Sequence, residues 1–226
     1  MSSIVCEREL TKEKVREIIA RRAAKEFKDG DVVTLGIGLP TEVTKYIPSD
    51  IDVMFQSENG LLGVGKDAEV PDNRIINAGG GCVGIREGAC FYDSQMAFTL
   101  MRGGHIDVTV LGALQVDAEG SLANWAIPGK FVPGMGGAMD LVVGSKKVIV
   151  VMEHMSKNQI KIVQKCNLPL TAYREVNLII TERCVFEVTP QGLLLTEINP
   201  MFTIDDIKAS TDAEFTISDN LKYMEV

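Results

Sequence analysis

Lys147-Val148-Ile149-Val150-Val151-Met152 is the stretch that indicates the fold, because apolar residues follow one another without interruption after the lysine. A strand with one face in water alternates apolar and polar residues, whereas a strand buried on both faces is apolar throughout. Val108-Thr109-Val110-Leu111 has the same character. Two such strands are typical of a parallel sheet covered by helices. The sequence therefore predicts an α/β fold with an open, largely parallel sheet and helices on both faces.

The chain before these runs repeats the order strand, loop, helix. The predicted elements are a helix over Thr11 to Phe27, a strand over Val32 to Leu35, a glycine loop over Gly36 to Pro40, a short helix over Thr41 to Tyr46 with Thr41 as its cap, a strand over Ile51 to Phe55, and a helix near Ser94 to Arg102. Open parallel sheets bind ligands at the carboxyl ends of their strands. The glycine loops at residues 36–38 and 58–63 follow predicted strands, so we expect a site there.

The C-terminal part is predicted to form a β-hairpin that closes the domain. Leu178 to Ile198 contains two apolar segments on either side of Pro190-Gln191-Gly192, which is a turn signal. The tail after Thr203 alternates only weakly. Since no linker, repeat or low-complexity run divides the chain, residues 1–226 are predicted to form a single domain.

Composition narrows the possible functions. The chain has 226 residues with 46% hydrophobic content, which is enough for one large α/β core. Its formal charge of −8 argues against a broad nucleic-acid surface, which needs clustered lysine and arginine. The 5 cysteines are widely spaced without a C-x-x-C pattern, which is typical of reduced thiols. With no signal-peptide pattern and no apolar run long enough to cross a bilayer, we expect a cytoplasmic protein that does not bind membranes.

Several motifs imitate known sites without matching them. The glycines of residues 36–41 and 134–139 lack the third glycine of the dinucleotide fingerprint, and Gly60 to Lys66 has P-loop spacing but continues with Asp67 instead of serine or threonine. His105 and His154 have no metal-ligand spacing, so structural roles are favoured and no metal site is predicted. Packing is likewise the favoured role of Trp125.

Gln56-Ser57-Glu58-Asn59-Gly60-Leu61-Leu62 places a carboxylate between an apolar strand and a glycine turn. Asn-Gly between apolar flanks is a hairpin signal, and a glutamate in such a turn is normally solvated. The same position at the end of a strand also suits a catalytic carboxylate. The residue types alone leave both interpretations open.

This corner closely resembles the active-site signature of the class I coenzyme A transferases. The resemblance extends along the chain and is strongest to β-subunits of that family. It includes Gly36 to Thr41, Phe55 to Gly63, Asn77 to Gly79, Arg102 to Asp107, Leu111 to Val116, Leu122 to Trp125, Ile127 to Lys130, Gly134 to Asp140, Met152 to His154 and Leu168 to Thr171.

The resemblance implies a function and a set of roles. Glu58 would be the nucleophile that carries coenzyme A as a glutamyl thioester between a short-chain acyl-CoA and a free carboxylate. Gly137 and Ala138 would contact the oxyanion, with the Asn124 amide nearby. An α-subunit would complete the enzyme, and coenzyme A would be a substrate, with no metal or permanently bound cofactor. An acyl-CoA hydrolase or a non-catalytic partner subunit are the alternatives.

The chemistry sets requirements for the residues around Glu58. A carboxylate is a weak nucleophile against a thioester, so backbone donors near small residues are needed for the developing oxyanion. Gly60 would allow a sharp turn, Asn59 would fix the corner by a local hydrogen bond, and Gly38 would shape the neighbouring loop. We expect Glu58 to be partly buried, with at least one hydrogen bond to its carboxylate.

Overall fold

The computed structural model describes residues 10–65, 70–157 and 159–225. The helices are α1 (Lys12–Ala24), α2 (Ser94–Arg102), α3 (Ala138–Gly144) and α4 (Ile204–Ala209), with a 3₁₀ helix at Leu39–Tyr46. The strands are β1 (Val32–Leu35), β2 (Met54–Ser57), β3 (Leu61–Val64), β4 (Ile85–Phe91), β5 (Ile106–Gly112), β6 (Gln115–Asp117), β7 (Leu122–Ala123), β8 (Ser145–Val151), β9 (Met155–Ser156), β10 (Gln159–Ile160), β11 (Ile162–Val163), β12 (Leu178–Ile180), β13 (Cys184–Thr189), β14 (Gly192–Ile198) and β15 (Phe215–Tyr223).

A ten-stranded sheet organises the chain, in the order β15-β14-β13-β12-β8-β5-β1-β2-β3-β4. The five inner strands β12, β8, β5, β1 and β2 run parallel to one another. Antiparallel pairs extend the sheet on both sides, through β3 and β4 at one end and β13 and β14 at the other. The predicted α/β fold with a largely parallel sheet is therefore confirmed.

Successive residues of β8 enter two different apolar cores, because side chains alternate across a sheet. Val148 and Val150 pack in one core with residues of α2, α3 and α4. Ile149 and Val151 pack in the other, against the buried face of α1. Helices thus cover both faces, which explains why the run that begins at Lys147 is apolar throughout.

Helix α1 is held on its face of the sheet by burial and by an ion-pair network. Thr11 begins the helix, since its hydroxyl accepts a hydrogen bond from the Lys14 N–H at 3.2 Å. Arg22 binds Glu197 of β14 through two nitrogens, each at 2.7 Å. Glu26 accepts from Arg22 at 2.6 Å and from Lys147 of β8 at 2.5 Å. The network fixes the helix across several strands.

Two predictions about the first strand–loop–helix units were wrong in detail. The helix after β1 is a 3₁₀ helix that begins at Leu39, and Thr41 lies inside it with its hydroxyl donating to the Gly38 carbonyl at 2.8 Å. Thr41 is therefore not the cap. The next strand is β2, which lies later than the predicted Ile51 to Phe55. It includes the polar Gln56, because Gln56 pairs with Thr34 of β1 and accepts its hydroxyl at 2.8 Å.

The predicted C-terminal hairpin is present as β13 and β14, but it does not close the sheet. β15 lies outside it, parallel to β14, and forms the edge. The register between β14 and β15 shifts between Leu195 and Glu197, and the burial of β15 does not alternate. A bulged, half-exposed edge strand lacks the period-two pattern that identifies strands in a sequence, so the tail was not recognised.

In the part of the chain that the structure describes, no helix is both long enough and apolar enough to cross a membrane. The described cysteines Cys82, Cys90, Cys166 and Cys184 are free thiols, as predicted, and Cys6 lies outside the described residues.

The turn between β2 and β3 depends on Gly60. Its φ is +111°, and a Cβ on this residue would lie 1.9 Å from the carbonyl oxygen of Tyr92. The Tyr92 N–H donates to the Gly60 carbonyl at 2.9 Å, so the two backbones cannot separate without losing that bond. The sharp turn predicted for Gly60 is confirmed.

Gly60→Ala is expected to lower the free energy of unfolding by about 3 kcal/mol or more, because backbone strain and a backbone clash add together. Gly30 is the matched control: its φ is +83°, and a Cβ there would have no atom within 4 Å. Gly30→Ala should cost only about 1 kcal/mol, from strain alone. Urea unfolding of both variants measures the difference, and equal losses would contradict the assignment of the clash.

Candidate active site

Glu58 follows the last residue of β2 and lies at the carboxyl end of the parallel strands. Its side chain is half-buried, so it is not the freely solvated turn glutamate of the alternative interpretation. The hairpin signal was also correct, since β2 and β3 pair antiparallel with Ser57 opposite Leu61. The corner is both a hairpin turn and a site at the edge where open parallel sheets bind ligands.

The carboxylate of Glu58 occupies the space where a side chain at Gly137 would begin. A Cβ added to Gly137 would lie 2.2 Å from Glu58 Oε2 and 2.9 Å from Cδ. At Gly136 the corresponding distance is 3.8 Å, to Oε1. Gly137 directly precedes α3. The glycine cluster therefore brings bare backbone against the predicted nucleophile, although the two segments are far apart in sequence.

The pKa of the Glu58 carboxyl lies above its ordinary value. Burial raises the pKa, the Gly137 backbone N–H lowers it by donating a hydrogen bond to the carboxylate, and the charge of Asp140 raises it. The partial burial expected from the sequence is present, and the backbone N–H of Gly137 is the donor that favours the ionised carboxylate. The result is a carboxylate that is more basic than a solvated one and still stabilised by one donor.

Hydrogen bonds to one loop hold the residues on both sides of Glu58. Ser57 accepts a hydrogen bond on its hydroxyl from the Ala78 N–H at 2.9 Å. The Asn59 side-chain amide donates to the Ile76 carbonyl at 2.7 Å. The prediction that Asn59 bonds locally was wrong, because its partner belongs to a different loop. The outcome is still a fixed corner, since the tethers flank Glu58 directly.

Asn77 gives that loop its shape. Its side-chain oxygen accepts from the N–H groups of Gly79 and Gly81 at 2.9 and 3.1 Å. Its backbone N–H donates to the Gly81 carbonyl at 2.9 Å. Neither Asn77 nor Ser57 has a role that follows from the sequence alone. An asparagine followed by a glycine run is a turn signal, but it does not say which element the turn touches.

Gly137, Ala138 and Asn124 are the predicted oxyanion contacts, and the structure gives each of them different neighbours. Gly137 lies against Glu58. The Ala138 N–H donates to the Met135 carbonyl at 3.1 Å. The Asn124 side-chain oxygen accepts from the Thr171 hydroxyl at 2.6 Å, and no contact among the described residues joins Asn124 to Glu58. The oxyanion roles of Ala138 and Asn124 stay predictions.

Gly38 shapes the loop at the carboxyl end of β1, with φ +90° and ψ −121°. Residues other than glycine rarely adopt this backbone conformation, although a Cβ at Gly38 would have no atom within 4 Å. Ile37 before it is 77% exposed and lies beside Gly79, where a Cβ would be 3.3 Å from its Cγ1. The loop thus contributes an apolar rim next to the tether of Glu58.

The remaining motif residues take structural roles. His154 is fully buried, and its ring nitrogens lie 2.9 Å and 3.0 Å from the hydroxyls of Thr181 and Thr211. Burial lowers the pKa of His154 to about 3. Burial also raises the pKa of the Cys184 thiol, whose sulfur lies 3.7 Å from the His154 ring. Both groups are therefore neutral, and they do not form a nucleophile–base pair.

Trp125 donates its indole N–H to the Leu170 carbonyl at 3.2 Å, and its packing role stays a prediction. Leu61–Val64 of the P-loop-like segment forms β3, so these residues are a strand and not a phosphate-binding loop, while Lys66 and Asp67 lie outside the described residues. Among the residues that the structure describes, no group of three or more histidine, cysteine, aspartate or glutamate residues is placed to hold a metal ion.

A family model described as coenzyme A transferase matches residues 16–210. The chain belongs to the coenzyme A transferase family. The acetate CoA-transferase subunit beta of Haemophilus influenzae is 50% identical over 213 residues, which cover 93% of this chain and 96% of that protein. The Escherichia coli K12 protein of the same name is 50% identical over 208 residues, covering 91% and 95%.

A longer relative contains a region that corresponds to this coenzyme A transferase chain. The mitochondrial succinyl-CoA:3-ketoacid coenzyme A transferase 2B of Mus musculus is 50% identical over 216 residues, which cover 93% of this chain but 41% of that protein. The chain therefore spans less than half of the longer transferase.

Solved structures share the fold. The acyl-CoA transferase YdiF from Escherichia coli O157:H7 superposes with a TM-score of 0.77 at 26% identity, over 93% of this chain and 43% of that one. The decarboxylase AibA/AibB superposes with a TM-score of 0.73 at 21% identity, over 93% and 88%. The second likeness shows the fold alone, and it illustrates that this fold carries more than one activity.

Gly137→Ala is expected to reduce the activity of this coenzyme A transferase by about 100-fold or more with little loss of stability. The clashing atoms are the flexible end of Glu58, so the carboxylate moves while the fold is kept, and a small displacement of a nucleophile is costly. Steady-state rates and melting temperatures measure the two effects. Gly136→Ala is the control for the clash, because its Cβ would lie 3.8 Å from the carboxylate; its φ of +52° should cost about 1 kcal/mol of stability, and a loss of activity equal to that of Gly137→Ala would contradict the prediction.

Glu58→Gln is expected to raise the melting temperature at neutral pH. The folded-state pKa of Glu58 is raised, so the fold disfavours the ionised carboxyl and wild type loses stability as the pH rises through that pKa. The advantage of glutamine should disappear as the pH falls below the ordinary pKa of a glutamate, where the carboxyl is protonated in both the folded and the unfolded state. Thermal scans across pH measure it. Glu87→Gln, at an exposed position of β4, should change nothing.

Proposed function

We propose that this chain is the catalytic β-subunit of an enzyme that moves coenzyme A between a short-chain acyl-CoA and a free carboxylate of the acetate, butyrate or acetoacetate type. Glu58 is the nucleophile, and the reaction is ping-pong. One observation carries the assignment: the half-buried Glu58 carboxylate lies against the backbone of Gly137 at the carboxyl end of the parallel strands.

The first half-reaction has two steps at Glu58. The carboxylate attacks the thioester carbonyl, the C–S bond breaks, and an acyl-glutamyl anhydride and the coenzyme A thiolate form. The thiolate then attacks the glutamyl carbonyl and expels the acyl group as a free carboxylate, which leaves coenzyme A bound to Glu58 as a thioester. The second carboxylate substrate reverses these steps and takes coenzyme A away.

The geometry supports a specific role for Gly137 in the second step. When the thiolate attacks the glutamyl carbonyl, negative charge develops on an oxygen of Glu58 itself. Gly137 already lies against this carboxylate and its N–H favours the ionised form, so the donor is in place before the charge develops. Ala138 and Asn124 belong to the same proposal as further contacts, for the oxyanion formed on the substrate.

Burial helps to overcome the weak nucleophilicity of a carboxylate. An ordinary glutamate has a pKa of about 4.3 and a thiol about 8.5, a gap of about 4 units against the attack. The raised pKa of Glu58 narrows this gap, because a more basic carboxylate is a better nucleophile. Binding of the long coenzyme A molecule away from the reacting atoms is the proposed source of the remaining free energy.

The surface around the corner supports a partner chain. Ile37 is 77% exposed, and Phe131 and Val132, on the loop that leads to Gly136, are 55% and 61% exposed. Apolar side chains at the rim of a site are typical of surfaces that a partner or a substrate covers. Relatives are named as beta subunits, which supports an α-subunit that completes the site in a hetero-oligomer.

Coenzyme A enters as a substrate in this proposal, and carboxylate exchange requires no metal or permanently bound cofactor. The free thiols of the described cysteines agree with a reducing compartment, so we place the enzyme in the cytoplasm. Nucleic acids and membranes are not partners in the proposal, since the net charge of −8 opposes anionic surfaces.

The decisive experiment uses the complete enzyme with its α-subunit. Glu58→Gln should reduce coenzyme A transfer by more than about a thousandfold, because the amide cannot form the anhydride. Wild type incubated with acyl-CoA should show, by mass spectrometry, a coenzyme A adduct on the peptide that contains Glu58. Glu87→Gln serves as the control and should keep full activity and the adduct.

Activity of Glu58→Gln within about tenfold of wild type would rule out nucleophilic catalysis by this residue. Release of coenzyme A at the same rate with and without an acceptor carboxylate would identify a hydrolase instead. An adduct-free wild-type enzyme would favour a non-catalytic role for this chain.

A further inference from the structure

Asp140 lies in the first turn of α3, three residues after Gly137. Residues three apart on a helix are neighbours on one face, so Asp140 is on the side of α3 that Glu58 approaches at Gly137. The effect of its charge on Glu58 agrees with this placement: Asp140 disfavours ionisation of the carboxyl. A negative group beside a nucleophilic carboxylate requires an explanation, because it acts against the reactive form.

Arg102 neutralises Asp140 from the neighbouring helix. Its Nε lies 2.6 Å from Asp140 Oδ1, and it is the last residue of α2. The two helices pack with their backbones in close approach, since a Cβ at Gly144 would lie 2.2 Å from the Met101 carbonyl oxygen. The position of the Arg102 guanidinium is further set by the Phe98 ring, 5.5 Å away. The packing of α2 on α3 therefore fixes the ion pair.

We propose that Arg102 and Asp140 form a charge pair that sets how readily Glu58 ionises, with Asp140 opposing the ionised carboxylate and Arg102 offsetting Asp140. The inference rests on the proposed role of Glu58 as the nucleophile. Both are positioning residues, since neither contacts the reacting atoms and each acts through Glu58. The pair keeps the carboxylate basic enough to attack a thioester while leaving it ionised when substrate binds.

The other polar groups near the corner are accounted for. From the strand beside it, the Tyr92 backbone lies against Gly60, and the pKa of the Tyr92 hydroxyl is raised by burial, so the hydroxyl is neutral. Asp93, the next residue, caps α2 by accepting from the Met96 N–H at 2.8 Å. The loop tethered to Ser57 and Asn59 presents the uncharged Asn77. Within the described residues, Asp140 is the charged group that acts on Glu58.

This arrangement predicts opposite effects from the two halves of one ion pair. Asp140→Asn removes the repulsion, so Glu58 should ionise at lower pH. Arg102→Gln leaves Asp140 without its counter-charge, so Glu58 should ionise at higher pH. A purely structural ion pair behaves differently, because breaking it from either side has the same consequence.

The test measures adduct formation at Glu58 in single turnovers across pH, in the complete enzyme with acyl-CoA. The midpoint of the acid limb is expected to move to lower pH in Asp140→Asn and to higher pH in Arg102→Gln, and to return close to the wild-type value in Arg102→Lys. Lys146→Gln is the matched control. Lys146 forms a 2.7 Å ion pair with Asp107, which this substitution breaks. The side chains of Lys146 and Asp107 are 64% and 27% exposed, and those of Arg102 and Asp140 are 67% and 28% exposed, so the two pairs are equally accessible to water.

Asp107 lies near the start of β5, at the amino ends of the parallel strands, whereas Glu58 lies at their carboxyl ends. Lys146→Gln should therefore leave the midpoint unchanged. Midpoints that stay fixed, or that move in the same direction in both variants, would overturn the inference while an adduct on Glu58 upholds the proposed function. If Asp140→Asn does not fold, Arg102→Gln decides alone, because its side chain is 67% exposed and its loss does not open the core.

A second measurement keeps the inference independent of the reaction. Glutamates are labelled with ¹³C in the side-chain carboxyl and observed by NMR. The Glu58 signal is identified as the one that is missing from Glu58→Gln, and its titration with pH reports the ionisation of Glu58 directly. Opposite displacements of this titration in the two variants support the charge pair even if no adduct forms. Identical titrations in wild type and both variants overturn it.

Discussion

The contact between the Glu58 carboxylate and the bare backbone of Gly137 is the constraint on which the site depends. A Cβ at Gly137 would lie 2.2 Å from the carboxylate, so every side chain other than hydrogen would move the Glu58 carboxylate. The same contact brings a backbone N–H to an oxygen on which negative charge develops during the proposed reaction. One glycine therefore provides both the space for the Glu58 carboxylate and the donor that stabilises it.

The surroundings of Glu58 balance two opposing requirements. Burial and the charge of Asp140 make the carboxylate more basic, while the Gly137 donor keeps it ionisable. This balance lowers the free energy of unfolding, since an ionised carboxylate in a half-buried position is less favourable than in water. The turn between β2 and β3 must hold Glu58 in place for this balance to persist. Ser57 and Asn59 are bonded to one neighbouring loop and Gly60 to Tyr92, so the Glu58 carboxylate cannot relax into solvent.

The fold positions this chemistry without specifying it. The same arrangement of strands occurs in a protein described as a decarboxylase, at 21% identity. Since a fold does not fix an activity, the function proposed for this chain depends on the groups at the carboxyl ends of its strands, which are a glutamate, a glycine cluster and a tethered loop. His154 and Cys184 are residue types that are often reactive, but both are buried in the core and held neutral. Their role here is therefore structural.

The sequence by itself determined the elements whose signals are local. The apolar run at Lys147 identified a strand buried on both faces, and the corner around Glu58 identified the predicted nucleophile and its family. Tertiary structure decided the rest, because these relations join segments that are distant in the chain: Gly137 against Glu58, Ser57 and Asn59 against the loop of Asn77, and Arg102 against Asp140. No periodicity reports such contacts, since they depend on which strand and helix ends the sheet brings together.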